Sequence, residues 1–323
     1  MSICKNYIFF VFCTVLFSVT VFSQSFWNPS KVASKGDLVT VFFNSSDNGW
    51  IAGDEGYLAF TNDGGQSWNT LKIATSDTIN EIFFRNEDNG YLVTGKKMFV
   101  TKNGGRTWDE LSIYRPEDFR TGTPEFLSIR FTDKKRGFVV GSVLNSKDQV
   151  VDSLVLQTFD GGESWSRIVV PSKTELFHLD FNGSSHGWIV GDRGLILATT
   201  DNGESWNVQS SGTDRALYNV DFRDDKEGYA VGGYGIILRT VDGGRNWEKV
   251  NTNFSETFLR VDFADDKNGW IVGKNGTILR SSDRGKTWIK QDSQTKSNLY
   301  GLFMTKKYGF AVGADGTILS VQK

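Results

Sequence analysis

Cysteine, histidine and proline are nearly missing from this sequence: two, two and four residues in 323. Both cysteines, Cys4 and Cys13, lie in the first few turns of chain, so everything downstream is thiol-free. That excludes a disulfide framework, a cysteine metal site and a cysteine nucleophile. His178 and His186 are the only imidazoles, and no helical pattern arrays them, so neither a metal nor a cofactor is expected. Charge of one sign is also lacking. Lys and Arg number 36 against 38 Asp and Glu, a formal net charge of −2, which argues against nucleic acid as a general partner. A serine nucleophile on a strand-to-helix elbow is not expected either. After Phe22 no segment is apolar enough to cross a bilayer as a helix.

The one long apolar run, Tyr7 to Phe22, follows a single charge at Lys5 and ends at Val21-Phe22-Ser23. This reads as a secretory signal covering residues 1–23 and cut after Ser23, with an uncleaved anchor as the alternative. The expected location is therefore exported: periplasmic, lumenal or extracellular.

What the sequence has in abundance is glycine (35) and aromatic residues (25 Phe, 10 Trp, 9 Tyr), a composition suited to many short strands joined by tight turns. It also repeats. Trp27, Trp68, Trp108, Trp165, Trp206, Trp247 and Trp288 are 41, 40, 57, 41, 41 and 41 residues apart. Each of the last six closes a box Ser/Thr-x-Asp-x-Gly-x-x-Trp, with Asp63, Asp160, Asp201, Asp242 and Asp283 at the acidic position and Asn103 replacing Asp before Trp108.

Between successive tryptophans lie four strand-like runs, for example Leu217–Phe222, Gly228–Gly232, Ile236–Thr240 and the run opened by Trp247. One such sheet cannot bury both faces alone. A period near 41 with four strands is the mark of a propeller blade, so residues 24–323 are predicted to form an all-β, seven-bladed β-propeller with four antiparallel strands per blade. The chain ends three strands into its last repeat, and Trp27 has no box ahead of it. The N-terminal strand is thus expected to complete the last blade and close the ring, leaving no edge that demands dimerisation, so a monomer is expected. Glycine pairs such as Gly53/Gly56, Gly191/Gly194 and Gly232/Gly235 mark the hairpin between second and third strands, where positive φ is expected.

The boxes favour structure over chemistry. Asp or Asn in a tight turn accepts backbone N–H bonds equally well, whereas a catalytic acid would not tolerate the amide at Asn103. The tryptophans are expected to bury apolar area between blades. Asp180, Asp221 and Asp262 recur at one position in three successive blades, which points to a shared structural task. A glycosidase would need two carboxylates in distinct environments.

The strings Gly269-Trp270-Ile271-Val272-Gly273-x-x-Gly276-Thr277-Ile278-Leu279-Arg280 and Ser281-x-Asp283-x-Gly285-Lys286-Thr287-Trp288 resemble the photosystem II stability and assembly factor family of Asp-box propellers, built of bacterial neuraminidase (BNR) repeats, over essentially the whole chain after residue 23. The resemblance implies an exported, non-catalytic scaffold that holds membrane-protein subunits during assembly. A protein partner is expected accordingly. The alternative is a glycoside hydrolase or sialidase-like enzyme, or a carbohydrate-binding propeller, because such proteins share the repeat.

Two candidate sites follow from the period. The blade after Trp108 carries two insertions on one face, and loops on a rigid scaffold are where function concentrates. Segment 112–125, with Tyr114, Arg115, Asp118, Phe119 and Arg120, should stand beside the lengthened hairpin 142–153, with Lys147 and Asp148, as a partner-contacting protrusion. The second is the channel mouth. Three residues before each first-strand Phe or Met lie Thr40, Glu81, Ser128, His178, Asn219, Arg260 and Gly301, of which Glu81, His178, Asn219 and Arg260 are the candidates.

Overall fold

The computed structural model describes residues 27–119 and 122–322; the expected signal segment 1–23 and Arg120 lie outside them. The chain folds into seven four-stranded antiparallel sheets, each running from first strand to outer strand in chain order except the last. We number the blades from the N-terminus. Blade 1 opens with Leu38–Phe43, blade 2 with Ile79–Phe84, blade 3 with Thr123–Phe131, blade 4 with Leu176–Asn182, blade 5 with Leu217–Phe222, blade 6 with Phe258–Phe263 and blade 7 with Leu299–Met304. In blade 7 the outer strand is Asn28–Lys31, paired antiparallel to Thr317–Gln322 with Asn28 opposite Ser320. Trp27, fully buried, sits with Trp270, Met304 and Leu319 and locks that closure.

Blades adhere through a repeated aromatic sandwich. A ring on the second strand of one blade stacks on the last Phe of the next blade's first strand, and the box Trp of that next blade meets the same Phe edge-on. Trp188 stacks on Phe222 at 3.3 Å between centroids and 5° between planes, while Trp247 meets Phe222 at 88°. Tyr91, Phe131 and Trp165 repeat the arrangement between blades 2 and 3, as do Tyr229, Phe263 and Trp288 between blades 5 and 6. The edge-on third ring suits the aromatic quadrupole, and aromatic pairs add about 0.5–1.5 kcal/mol each beyond area burial.

The glycine pairs work differently from the expectation. The second glycine does take the left-handed region, with φ of 65° at Gly56 and 71° at Gly194. The first is extended, with φ −179° at Gly53. Its requirement is space: a Cβ on Gly53 would lie 1.9 Å from the carbonyl oxygen of Asp37, and one on Gly191 would lie 2.2 Å from that of Glu175. The close approach falls where each first strand carries a register shift near its start, at Leu38/Thr40 and again at Leu176/His178 and Leu217/Asn219. Such a bulge bends the strand and re-aims a side chain.

Candidate functional site: the channel and its mouth

The bulge decides what faces the channel. In each first strand the unpaired bulge residue, four before the terminal Phe or Met, reaches the mouth on the side of the second-to-third hairpins. This ring is Val39, Asn80, Leu127, Phe177, Tyr218, Leu259 and Tyr300, all half-buried around an opening of about 180 Å³. Phe177 and Tyr218 touch at 5.1 Å. Strict alternation, which ignores the bulge, places the mouth one residue too deep. The residues expected there, Thr40, Glu81, Ser128, His178 and Asn219, are buried in the channel wall, and Arg260 is half-buried beneath the ring. A partial signal was the glycine late in the second strand, Gly53, Gly141, Gly191, Gly232, Gly273 and Gly313, which lacks the Cβ that would meet the facing strand, although blade 2 carries Thr94 there opposite the same bulge.

The interior is an ordered polar belt. Glu81 accepts hydrogen bonds from Ser128 Oγ, Ile129 N and Arg130 Nη1, each at 2.7 Å. Burial would raise its pKa, but the Arg130 guanidinium and contact with His178 hold it well below the usual carboxylate range. Burial, the largest influence, pushes His178 down to about 4, so its ring is neutral at neutral pH. Toward the Asp-box side, Asp180 accepts from Phe222 N (2.8 Å), Asp221 from Phe263 N (3.2 Å) and Asp262 from Met304 N (2.6 Å). The three carboxylates thus share one task, stapling each first strand to the next blade. Burial raises Asp180 to about 6, and burial together with Asp262 and Asp180 raises Asp221 well above the ordinary value. The belt encloses a cavity of about 250 Å³ that Phe42, Phe83 and Phe303 also line.

The two insertions of blade 3 do stand together. Its first three strands, Thr123–Phe131, Gly137–Leu144 and Val150–Thr158, run on past the blade, with Ser142 opposite Ser153 and Val143 opposite Asp152. A short 3₁₀ turn, Pro116–Phe119, packs against this ribbon. Phe119 is buried with Ile113, Phe126 and Val143, Tyr114 packs half-buried on Phe119 at 5.3 Å, and Arg167 lies over the Phe119 ring. Phe119 therefore serves as the protrusion's own core. Arg115 and Asp118 pair at 3.3 Å on the exposed tip. Lys147 and Asp148 are exposed in a turn that Asn145 holds through Lys147 N and Asp148 N.

On the opposite face the boxes are turn locks. Thr240 Oγ1 donates to Asp242 Oδ1 at 2.9 Å, Gly244 N donates to Thr240 Oγ1, and Asn246 N donates to Asp242 Oδ1. Asn103 Oδ1 accepts from Thr101 Oγ1 and Thr107 N in the same way, while its amide reverses the remaining bond by donating to Thr107 Oγ1. Hydrogen bonds from Ser67 and Thr61 hold Asp63 down to about 2, and Ser205 does the same for Asp201. Trp206 and Trp288 are buried, and Trp68, Trp108, Trp165 and Trp247 are half-buried against the sandwiches.

One string runs counter to the expectation of no serine elbow. Gly183-Ser184-Ser185-His186-Gly187 spells Gly-x-Ser-x-Gly, but it turns from one strand, Leu176–Asn182, into another, His186–Gly191. A nucleophile elbow needs a helix after the turn, so the context fails. Ser185 Oγ lies 3.0 Å from His186 Nδ1, the ring of its own neighbour. Among the described residues no group of three His, Cys, Asp or Glu side chains could hold a metal ion, and no helix is long and apolar enough to cross a membrane.

The family model for the photosynthesis system II assembly factor YCF48 matches residues 19–113, 66–174, 118–209, 164–255 and 252–322, nearly the whole chain. No curated protein matches the sequence. A solved structure described as YCF48 bound to D1 peptide is 22% identical, with a TM-score of 0.76 over 94% of this chain and 96% of that one. YCF48 from Cyanidioschyzon merolae is 19% identical, with a TM-score of 0.73 over 92% and 98%. The GH74 xyloglucanase of Xanthomonas campestris shares the fold at 13% identity, with a TM-score of 0.67 over 92% of this chain but only 54% of that one.

Proposed function

We propose that this chain, which belongs to the photosynthesis system II assembly factor YCF48 family, is an exported, non-catalytic scaffold that receives an extended segment of a membrane-protein subunit across its channel mouth. The mouth ring carries the reading. Phe177, Tyr218 and Tyr300, with Val39, Leu127 and Leu259, present apolar and aromatic side chains on one face of a rigid ring. Tyr234, 73% exposed with Arg215 over its ring, extends that face outward, and the blade 3 protrusion rises from the same side. Aromatic side chains that keep a polar tip are the usual anchors of protein interfaces.

The relative whose structure contains a D1 peptide makes a photosystem subunit the first partner to test. Export rests on the apolar run Tyr7–Phe22. The non-catalytic reading is supported by the channel carboxylates, each of which already holds a backbone N–H of the neighbouring blade. Overlapping synthetic peptides spanning D1 and other photosystem subunits, titrated by fluorescence anisotropy, test the partner. Binding that weakens at least tenfold in Tyr218→Ala supports the reading. Equal binding by that variant, or steady turnover of xyloglucan or a fluorogenic glycoside by the purified protein, overturns it.

A further inference from the structure

Aromatic side chains gather on one sector of the mouth. At the bulge position blades 4 and 5 carry Phe177 and Tyr218, rings 5.1 Å apart at 48°, where blades 1, 2, 3 and 6 carry Val39, Asn80, Leu127 and Leu259. Tyr234 joins them from the blade 5 hairpin, near enough to act electrostatically on the Tyr218 hydroxyl. It is 73% exposed and has φ of 56°, the left-handed region that a bulky side chain rarely takes. The same hairpin position holds Glu55, Arg193, Asn275 and Asp315 in blades 1, 4, 6 and 7. The fold therefore asks for that turn but not for a ring on it.

The charge beside these rings is negative. Asp192 and Glu175 both act on Tyr218. Glu175, half-buried two residues before Phe177, has no hydrogen bond or ion pair among the described residues, and the charges that act on it are Glu125 and Asp192. Burial first, then those two carboxylates, raise it to about 7. Burial raises Glu125 in turn, with Ser142, Asp148 and Lys96 around it. Asp192 has Arg193 at 3.8 Å, on a side chain 81% exposed. Arg215 already lies over the Tyr234 ring at 4.4 Å, so the chain itself sets a guanidinium on this patch. Arg260 borders the opening from blade 6, and its charge is offset by Glu81 in the channel. Tyr300 also stands beside two carboxylates, Asp37 and Asp54, but Asp315 N at 3.1 Å and Thr78 Oγ1 at 2.8 Å already engage them.

These surroundings select the sign of an occupant. An aromatic face attracts a cation, and so does a carboxylate left without a partner. An anion at this place would meet three carboxylates, and a neutral side chain would leave Glu175 covered and unpaired, which costs free energy. An extended segment presents alternate side chains about 7 Å apart on one side. One basic residue can thus face the rings of blades 4 and 5 while its apolar neighbours two residues away face Leu127 and Leu259.

We propose, on the reading that the mouth receives a partner, that the segment it takes is basic: one arginine or lysine enters among Phe177, Tyr218 and Tyr234 and pairs with Glu175 and Asp192.

Fluorescein-labelled peptides of one frame, Gly-Leu-Ser-X-Ser-Leu-Gly with X arginine, norleucine or glutamate, titrated into the whole protein by anisotropy, test it. The arginine peptide should bind most tightly. Norleucine should be at least about tenfold weaker, the least expected for losing a close charge pair in an interface, and glutamate weaker still. Glu175→Gln should fold, weaken the arginine peptide at least about tenfold and leave the norleucine peptide unchanged. Glu204→Gln, an equal loss of charge at an exposed position on the opposite face, should change nothing. A bound cation favours the ionised carboxylate, so arginine-peptide affinity should rise from pH 6 to pH 8, and less so in Glu175→Gln. Equal binding of the arginine and norleucine peptides, equal effects of Glu175→Gln and Glu204→Gln, or no binding of any peptide at millimolar concentration would each overturn the basic site. If those peptides bind alike yet all are lost in Tyr218→Ala, the basic site falls and the mouth stands; if Tyr218→Ala binds them unchanged, the mouth falls as well. Should Glu175→Gln fail to fold, Asp192→Asn with the same three peptides decides.

Discussion

Trp188→Ala removes the tightest of the inter-blade stacks and measures what those stacks contribute. Trp188 is 1% exposed, lies parallel to Phe222 at 3.3 Å, and donates from Nε1 to the carbonyl of Gly243 in the next blade at 3.2 Å. Truncating a buried tryptophan to alanine costs about 3–5 kcal/mol through lost transfer energy and the cavity left behind. The Gly243 carbonyl loses one of its two donors but keeps Gln209 Nε2 at 3.0 Å, so the cavity and transfer terms set the expectation. Native domains are stable by only about 5–15 kcal/mol, so this single change should consume a large share. With about 2–4 °C lost per kcal/mol in a chain of this class, the melting temperature should fall by roughly 6–20 °C. Trp188→Phe, which keeps a ring on Phe222 but gives up the indole N–H, should lose less than half as much. Urea unfolding followed by tryptophan fluorescence and circular dichroism supplies both values. A Trp188→Ala loss below about 1 kcal/mol, the level of an ordinary surface change, would refute the view that stacked rings hold the blades together.

Asp221 is raised in the folded state, so its proton favours folding at low pH and the benefit disappears as pH climbs through the raised value. Asp221→Asn, which keeps an oxygen for Phe263 N, should therefore gain melting temperature relative to the native protein between pH 4 and pH 8; a flat or shrinking difference would contradict this. Asp242→Ala should cost about 0.5–2 kcal/mol by removing the acceptor that closes its turn, whereas Asn103→Asp should stay within about 0.5 kcal/mol, both read from denaturant midpoints. Starting the chain after Lys31 deletes Trp27 and the outer strand of blade 7. The exposed edge of Thr317–Gln322 should then lower the melting temperature by more than 10 °C, in the range of a lost buried tryptophan, and promote association detectable by light scattering.

Blade number and strand order were legible because a pattern of Trp, Gly and alternating Val, Ile and Leu recurs along the chain, and the closing strand because Trp27 stands one period ahead of Trp68 with no box before it. The shared role of Asp180, Asp221 and Asp262 was legible for the same reason. The mouth was not. A bulge adds one residue without altering composition, and period-two reading through Leu38–Phe43 cannot tell Val39 from Thr40. The blade 3 insertions were found from spacing alone, yet spacing could not show that Phe119 turns inward to Ile113 and Val143.

Photo-crosslinking tests most directly whether the hairpin-side face receives a partner. Benzoylphenylalanine placed at Tyr218 in the mouth ring, and separately at the exposed Lys286 in the box of blade 6, samples the two faces of the ring. A subunit peptide that binds should crosslink at position 218 and not at 286, and unlabelled peptide should compete the product away. Crosslinks confined to 286, or equal at both positions, would contradict a partner site at the channel mouth.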